Sequence, residues 1–150
     1  MFSVQCSVFS VQCSVFSVQF SVFSVQFSVG GVDMAYQSFE ELMVWKRATQ
    51  LAVQVYGTLK DCRDYGLTNQ MQRAAVSIAS NIAEGSERGG KDFARFLRIA
   101  LGSSAELRTQ VYIASKIGVI SVDQMNIFTS ELKEISKMLN GLARSLKTEN

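Results

Sequence analysis

Two stretches in the second half of the chain repeat apolar or small side chains at alternating intervals of three and four residues. Seven such positions run from Phe93 to Ala114, and seven more run from Met125 to Leu146. This interval places each set on one face of an α-helix and favours shallow left-handed packing, at about 20°, between two helices. Only a short connection containing Gly118 separates the two stretches, so the pattern predicts an antiparallel pair of long helices.

The preceding residues predict two more helices. Ser38 and Glu41 have the spacing of a capping box, and the apolar positions from Leu42 to Leu59 again recur at three and four. Alanines are frequent in the following apolar stripe, where small side chains allow helices to approach closely. Together with a second capping box at Ser121 and Gln124, these signals predict helices over residues 38–59, 68–83, 91–117 and 121–147, with residues 60–66 and 84–90 as connections. The predicted fold is all-α, an antiparallel up-and-down four-helix bundle.

The first 33 residues have a different character. Residues 2–29 are four consecutive copies of a seven-residue unit, FSVQCSV twice and then FSVQFSV twice, and no charged side chain occurs from Phe2 to Val32. The segment lacks the basic start of a signal peptide, and it is too rich in Ser and Gln for a membrane span. Two interpretations stay open: an uncharged, β-prone arm that aggregates, or a short DNA repeat read as protein, with Met34 as the true start. We predict a non-globular, low-complexity segment at residues 1–33, disordered or not natively translated, and a bundle at residues 34–150.

Several residue types that catalysis needs are missing from the sequence. There is no histidine, no GxSxG motif and no cysteine pair with metal-ligand spacing, and the helical seams contain no acidic residues. Cys62 lies beside Arg63 but is isolated in the bundle. We therefore expect no enzymatic activity, no cofactor and no metal, and the lack of a disulfide framework favours the cytoplasm.

Basic residues form the most informative polar pattern. Residues 34–150 contain 15 basic and 12 acidic side chains, a formal charge of +3. Arg88, Lys91, Arg95 and Arg98 follow one another at intervals of three, four and three, opposite the apolar seam, and Arg73 is predicted to lie nearby. Such a stripe suits a phosphate backbone. The alternative is a solvated helix face, partly neutralised by neighbouring acids, namely Glu84, Glu87 and Asp92. The tyrosines are dispersed, so no base-stacking platform is predicted.

A second set of residues suggests contacts between subunits. Trp45 and Tyr56 are predicted to lie on nearly the same side of the first helix, with additional apolar surface near its start. The third helix carries small residues that we expect on its outer side. The residues of this predicted assembly surface are Phe39, Met43, Trp45, Tyr56, Gly102, Ser103 and Ala105. Packing of the same residues within one bundle is the alternative.

Four separated motifs resemble a known family. They are FEELMVW at Phe39–Trp45, YGLTNQMQRAAVSIASNIAEG at Tyr65–Gly85, DFARFLRIALGSSAELRTQ at Asp92–Gln110, and KMLNGL at Lys137–Leu142. Their order and sequence are similar to those of the bacterial four-helix-bundle proteins associated with intervening sequences of 23S ribosomal RNA genes. The resemblance spans about Phe39–Lys147 and does not include residues 1–33.

The resemblance implies a bundle that assembles into a ring, commonly a pentamer. It also implies likeness to the accessory variability proteins of diversity-generating retroelements, which bind a reverse transcriptase and nucleic acid through a basic surface. Asn81, Glu84 and Gly85 match the family's Asn-Ile-Ala-Glu-Gly signature, and we expect Asn81 and Glu84 to cap and pin the turn after the second helix. Ala79 stands where the family usually has proline, which would straighten that helix.

Two functions are compatible with these features. The first is an oligomeric module that binds RNA or a ribonucleoprotein through Arg73, Arg88, Lys91, Arg95 and Arg98. The second is a scaffold that docks a partner protein without contacting nucleic acid.

Overall fold

Four α-helices make up the bundle. A computed structural model describes residues 38–148, and their side chains as far as residue 146; the predicted repeat segment, residues 1–33, lies outside the described residues. A short 3-10 turn at Phe39–Glu41 precedes the four helices, which are α1 (Met43–Thr58), α2 (Tyr65–Arg88), α3 (Gly90–Lys116) and α4 (Val122–Thr148). Each helix packs against the next, and α1 also contacts α4, which closes the bundle. The predicted all-α four-helix bundle is confirmed.

The core follows the periodic positions read from the sequence. All seven predicted seam residues of α3 are buried, and Phe128, Leu132, Ile135 and Leu139 form the buried centre of the α4 seam. The remaining α4 positions pack at the edge of this core. In α1, the sequence predicted one buried stripe, at Leu42, Trp45, Ala48, Ala52, Val55 and Leu59. Val44 and Leu51 are buried as well, because α1 packs against both α2 and α4.

The start of the first helix differs from the prediction. The Ser38 hydroxyl accepts a hydrogen bond from the backbone N–H of Glu40 and donates to the Glu40 carboxylate, so no capping box joins Ser38 to Glu41. These contacts cap the 3-10 turn, and α1 begins later, at Met43. Leu42 interrupts the helical backbone with an extended ψ of 116° and packs against the core.

The boundaries of α2 were also predicted incorrectly. The helix begins at Tyr65, where the Asp64 carboxylate accepts a hydrogen bond from the Leu67 N–H at 3.0 Å. It continues past Ala83 to Arg88, so Glu84 and Gly85 are helical and do not form a turn. Gly89, with φ of +66°, is the single residue between α2 and α3. Gly90, the first residue of α3, has φ of +50°. Positive φ at these two positions favours glycine.

The connection between α3 and α4 agrees with its sequence signals. Gly118 adopts φ of +78° after α3, and the following residue, Val119, donates its N–H to the Ala114 carbonyl at 2.8 Å. At the start of α4, Ser121 and Gln124 exchange reciprocal side-chain-to-backbone hydrogen bonds, each 3.2 Å long. This is the predicted capping box.

Two serine pairs connect α3 to its neighbours. Ser103 lies 2.9 Å from Ser77 of α2, and the adjacent Ser104 lies 3.0 Å from Ser136 of α4, measured between hydroxyl oxygens. Ser103 and Ser104 are both buried. Because each hydroxyl contact requires the two serines to lie at the same level, these pairs favour one axial register of α3 against both partners.

An ion pair connects the first and last helices. The Nε and Nη2 atoms of Arg47 donate to the two carboxylate oxygens of Glu131, both at 2.6 Å. This hydrogen bonding to the Glu131 carboxylate is the main reason that the pKa of Arg47 is raised. Arg47 therefore remains positively charged at any physiological pH, and its pairing with Glu131 connects α1 to α4.

Candidate nucleic-acid interface

Three of the predicted cations share the outer face of α3. Lys91, Arg95 and Arg98 are exposed, whereas Phe93 and Leu97 of the same turns are buried. Their spacing of four and three residues brings them together on one side of the helix over roughly 10 Å. Within residues 38–146 none of the three forms an ion pair. We name these three residues the cationic face.

Arg88 belongs to a different helix from the cationic face. It is the last residue of α2, whereas the sequence predicted it in the connection before the third helix. Its Nε and Nη2 atoms donate to the same Glu84 oxygen, at 3.1 and 2.7 Å, and its guanidinium carbon lies 5.1 Å from the centre of the Phe96 ring. Arg88 is thus held beside α3 and partly neutralised by Glu84.

Arg73 is not brought to the cationic face. Ser77 lies opposite Ser103, so antiparallel packing places Arg73 near position 107, roughly 13 Å along the helix axis from Arg98. There it lines a groove of about 360 Å³ between α2 and α3. The groove also contains Gln70, Ala74, Ser77 and Glu106. These positions therefore do not place Arg73 in one ligand-binding surface with the cationic face.

The three signature residues lie inside α2. Asn81 donates its side-chain amide to the Ser77 carbonyl at 2.7 Å and to the Ser77 hydroxyl at 3.1 Å, which supports one member of the serine pair. Glu84 binds Arg88 within the same helix. Neither residue caps a turn, because α2 continues to Arg88.

Gly85 permits the close approach of α2 to α3. A Cβ atom built on Gly85 would lie 2.6 Å from the Phe96 Cβ and 3.0 Å from Cδ2 of Phe93. Real Cβ atoms do not approach other carbons that closely, so a larger residue forces the helices apart. Phe96 was missed in the sequence because it lies off the periodic seam; the structure shows that it contacts both Gly85 and Arg88.

The start of α3 carries charges of both signs. The helix contains five basic residues and two acidic ones. Its N-cap, Gly89, offers no side chain to the first backbone N–H groups. The first turn contains Asp92, which the helix dipole favours, and Lys91, which it disfavours. The placement of Lys91, unlike that of Asp92, therefore does not serve the stability of the helix itself.

The predicted assembly surface is divided. The Trp45 ring is half-buried and meets the Phe39 ring edge-on, with centroids 5.2 Å apart. Tyr56 is exposed. In α3, Gly102 and Ala105 are exposed as predicted, but Ser103 is buried against α2, because it lies on the side of α3 that faces Ser77.

Exposed apolar side chains collect in one half of the bundle. The half that contains the α3–α4 connection exposes nine large apolar residues, which we name the apolar end: Val53, Tyr56, Tyr65, Val76, Tyr112, Ile113, Ile117, Val122 and Ile127. In the other half of the described bundle, the only exposed large apolar residues are Met43 and Ile99.

The described residues contain neither a candidate metal cluster nor a candidate membrane span. No cluster of three or more His, Cys, Asp or Glu side chains that could hold a metal ion occurs between residues 38 and 148. In the same part of the chain, none of the helices combines the length and apolar character that a membrane span requires.

Comparison with known proteins identifies the family. A solved structure from Bacteroides thetaiotaomicron VPI-5482, a protein of unknown function from the S23 ribosomal protein family, superposes with a TM-score of 0.64. It is 24% identical in sequence, and the match covers 67% of this chain and 98% of that one, which supports the fold. No significantly similar protein was found among curated proteins. The model of the 23S rRNA-intervening sequence protein family matches residues 40–141, so this chain is a member of that family.

Proposed function

We propose that this protein is a non-enzymatic, oligomeric module that binds RNA, alone or within a ribonucleoprotein, through the cationic face of α3. The observation that carries the proposal is the grouping of Lys91, Arg95 and Arg98, exposed and without ion pairs among the described residues, on one side of a rigid helix. Arg88 adds a weaker contribution from the end of α2.

The physical basis is release of counterions from a phosphate backbone. Each phosphate that a cation neutralises releases condensed counterions, so the affinity falls steeply as salt rises. Phosphate contacts position a nucleic acid but carry no base sequence. We therefore expect strong salt dependence and weak sequence preference.

The family name supports an RNA partner, because it refers to an intervening sequence of 23S rRNA. It does not say which RNA the protein binds. Ribosomal RNA in bacteria is cytoplasmic, so a cytoplasmic location is part of this proposal.

Assembly is proposed from the apolar end. Exposed apolar surface marks sites of protein association in soluble domains, and here nine large apolar residues are exposed, distributed over all four helices. We propose a homo-oligomer, with a pentameric ring as the specific form, and contacts at the apolar end that leave the cationic face accessible.

The test is size-exclusion chromatography of the full chain with light scattering and absorbance, at low and at high salt. We expect an oligomer that carries nucleic acid at low salt and releases it at high salt. The double variant Arg95→Glu/Arg98→Glu should lose the nucleic acid. The matched control, Lys46→Glu/Lys133→Glu, reverses two exposed lysines on α1 and α4 and should retain it. Equal retention by both variants would refute the proposed interface.

The second candidate function is a scaffold that docks a protein through the apolar end. It is favoured by the nine exposed apolar residues there. It predicts a stable oligomer that carries no nucleic acid at either salt concentration. The same chromatogram therefore separates the two functions.

A further inference from the structure

We infer that the RNA on the cationic face is double-helical and lies along the outer side of α3 from Lys91 to Ala105. The inference rests on the proposed function and specifies its ligand. It also assigns a site, at Gly102 and Ala105, where the sequence suggested a contact between subunits.

The centre of the outer side of α3 carries long side chains first and short ones after them. After the three cations come Gly102 and Ala105, which are exposed on the same side, while exposed Ile99 and Glu106 lie along one edge of this surface. A Cβ atom built on Gly102 would meet nothing within 4 Å, so open space lies over the helix at this point. A rigid ligand that is anchored by phosphates on the cationic face can therefore continue in close contact with the helix surface.

The face lacks what a single strand requires. Single-stranded nucleic acids bind by stacking successive bases on aromatic side chains next to a basic groove. Along α3 the exposed aromatic residue is Tyr112, fourteen positions beyond Arg98 and roughly 21 Å farther along the axis. The ring of Phe96 lies closer, but the Arg88 guanidinium covers it.

A duplex meets the same face without these requirements. Its phosphates are held at fixed spacing before binding, so little conformational entropy is lost when fixed cations contact them. The minor groove of an RNA duplex is wide and shallow, and proteins recognise it by shape and by backbone contacts. A helix face with cations at one end and short side chains beyond them is complementary in shape to such a groove.

The experiment measures fluorescence anisotropy of the full chain with two probes at equal salt: a blunt RNA duplex of about 20 base pairs, and oligouridine of the same length, which forms no duplex. We expect the duplex to bind at least about tenfold more tightly. The variant Gly102→Leu should weaken duplex binding at least about fivefold, because its side chain occupies the space of close approach. Leucine carries no charge, so this loss cannot result from altered charge density.

The matched control is Gly141→Leu. Gly141 is exposed in α4, and a Cβ atom there also meets nothing within 4 Å, so the same substitution should leave duplex binding unchanged. Equal or tighter binding of oligouridine would overturn the duplex inference. The proposed function would remain intact in that case if Arg95→Glu/Arg98→Glu still abolished binding of the RNA. A Gly102→Leu variant that binds the duplex like the parent, or that changes the mass of the assembly, would overturn the assigned site. Failure to bind either RNA would instead refute the proposed function.

Discussion

The two ends of the bundle share one core but differ in what they expose. The end around the α2–α3 turn has the cationic face, with Arg88 fixed beside it by Glu84 and Phe96. The opposite end exposes nine large apolar residues. The buried seams run through both ends without interruption. The comparison shows that the fold is specified by the inward side of each helix, while the outward side is free to specialise separately at each end.

The two ends also contain helical glycines in different surroundings, since Gly85 is buried and Gly57 is exposed. At the cationic end, Gly85 lies directly against Phe93 and Phe96 of α3. At the apolar end, Gly57 of α1 has nothing within 4 Å of the position of a Cβ atom. Two glycines in helices thus serve different purposes, since one is required by packing and the other is not.

The largest expected effect is on this difference in packing. Gly85→Ala should lower the free energy of unfolding by about 2 kcal/mol, because the new methyl group overlaps Phe96 and separates α2 from α3. Gly57→Ala should raise it by up to about 0.5 kcal/mol, because alanine is the better helix former and nothing obstructs it, although the position is in the last turn of α1. Urea unfolding at one fixed protein concentration measures both values. Equal effects at the two positions would show that the close approach at Gly85 does not limit stability.

A smaller effect is expected on assembly. Ile113→Asp at the apolar end should weaken self-association at least about tenfold, because association would bury an unpaired carboxylate. The matched control is Ile99→Asp, on the same helix with similar exposure, 43% against 47%, but in the other half of the bundle. Light scattering over a dilution series reports the mass. If Ile99→Asp dissociates the assembly and Ile113→Asp does not, the subunit contacts lie in the half that we assign to RNA.

The smallest expected effect is a gain in RNA affinity. Glu84→Gln removes the carboxylate that pairs with Arg88, so a fourth cation becomes free to contact phosphate. We expect duplex binding to tighten about threefold and the salt dependence to steepen by about one counterion. Anisotropy titrations at several salt concentrations give both quantities.

The control for this gain is Glu134→Gln. Glu134 forms a comparable exposed pair with Lys137 in α4, and this hydrogen bond is the main reason that its pKa is lowered. Both substitutions raise the net charge by one. A similar gain in both variants would mean that overall charge, and not the position of Arg88, determines the affinity.

The sequence predicts the inward side of this bundle well. The alternation of three and four identified seven of the ten buried residues of α3 and the buried centre of α4, because helical geometry decides which positions share a face. The capping box at Ser121 was equally clear, since it depends on residues three apart. These features are local, so no knowledge of neighbouring helices was needed.

Two errors are local, namely the capping box at Ser38 that does not form and the start of α2 at Tyr65. The others occur where a neighbouring helix decides the outcome. Gly85 and Gly89 look alike in the sequence, yet Gly85 remains helical against Phe96 while Gly89 forms the turn. Arg88 was therefore predicted in the connection, whereas it is the last residue of α2. Ser103 was assigned to the outer surface for a related reason, since its burial depends on Ser77 of another helix. The positions of the three cations on α3, by contrast, followed from their spacing alone.

The paired serines have a mechanical consequence. Ser103 and Ser104 bind α2 and α4 at the same level, so sliding α3 by one helical turn, about 5.4 Å, would break both hydroxyl contacts together. Axial sliding of α3 is therefore opposed on two sides at once. If subunits join at the apolar end, as we propose, each bundle of roughly 40 Å would hold its cationic face at a set distance from that contact. The arrangement of the subunits would then determine which curvature of RNA several cationic faces can hold at the same time.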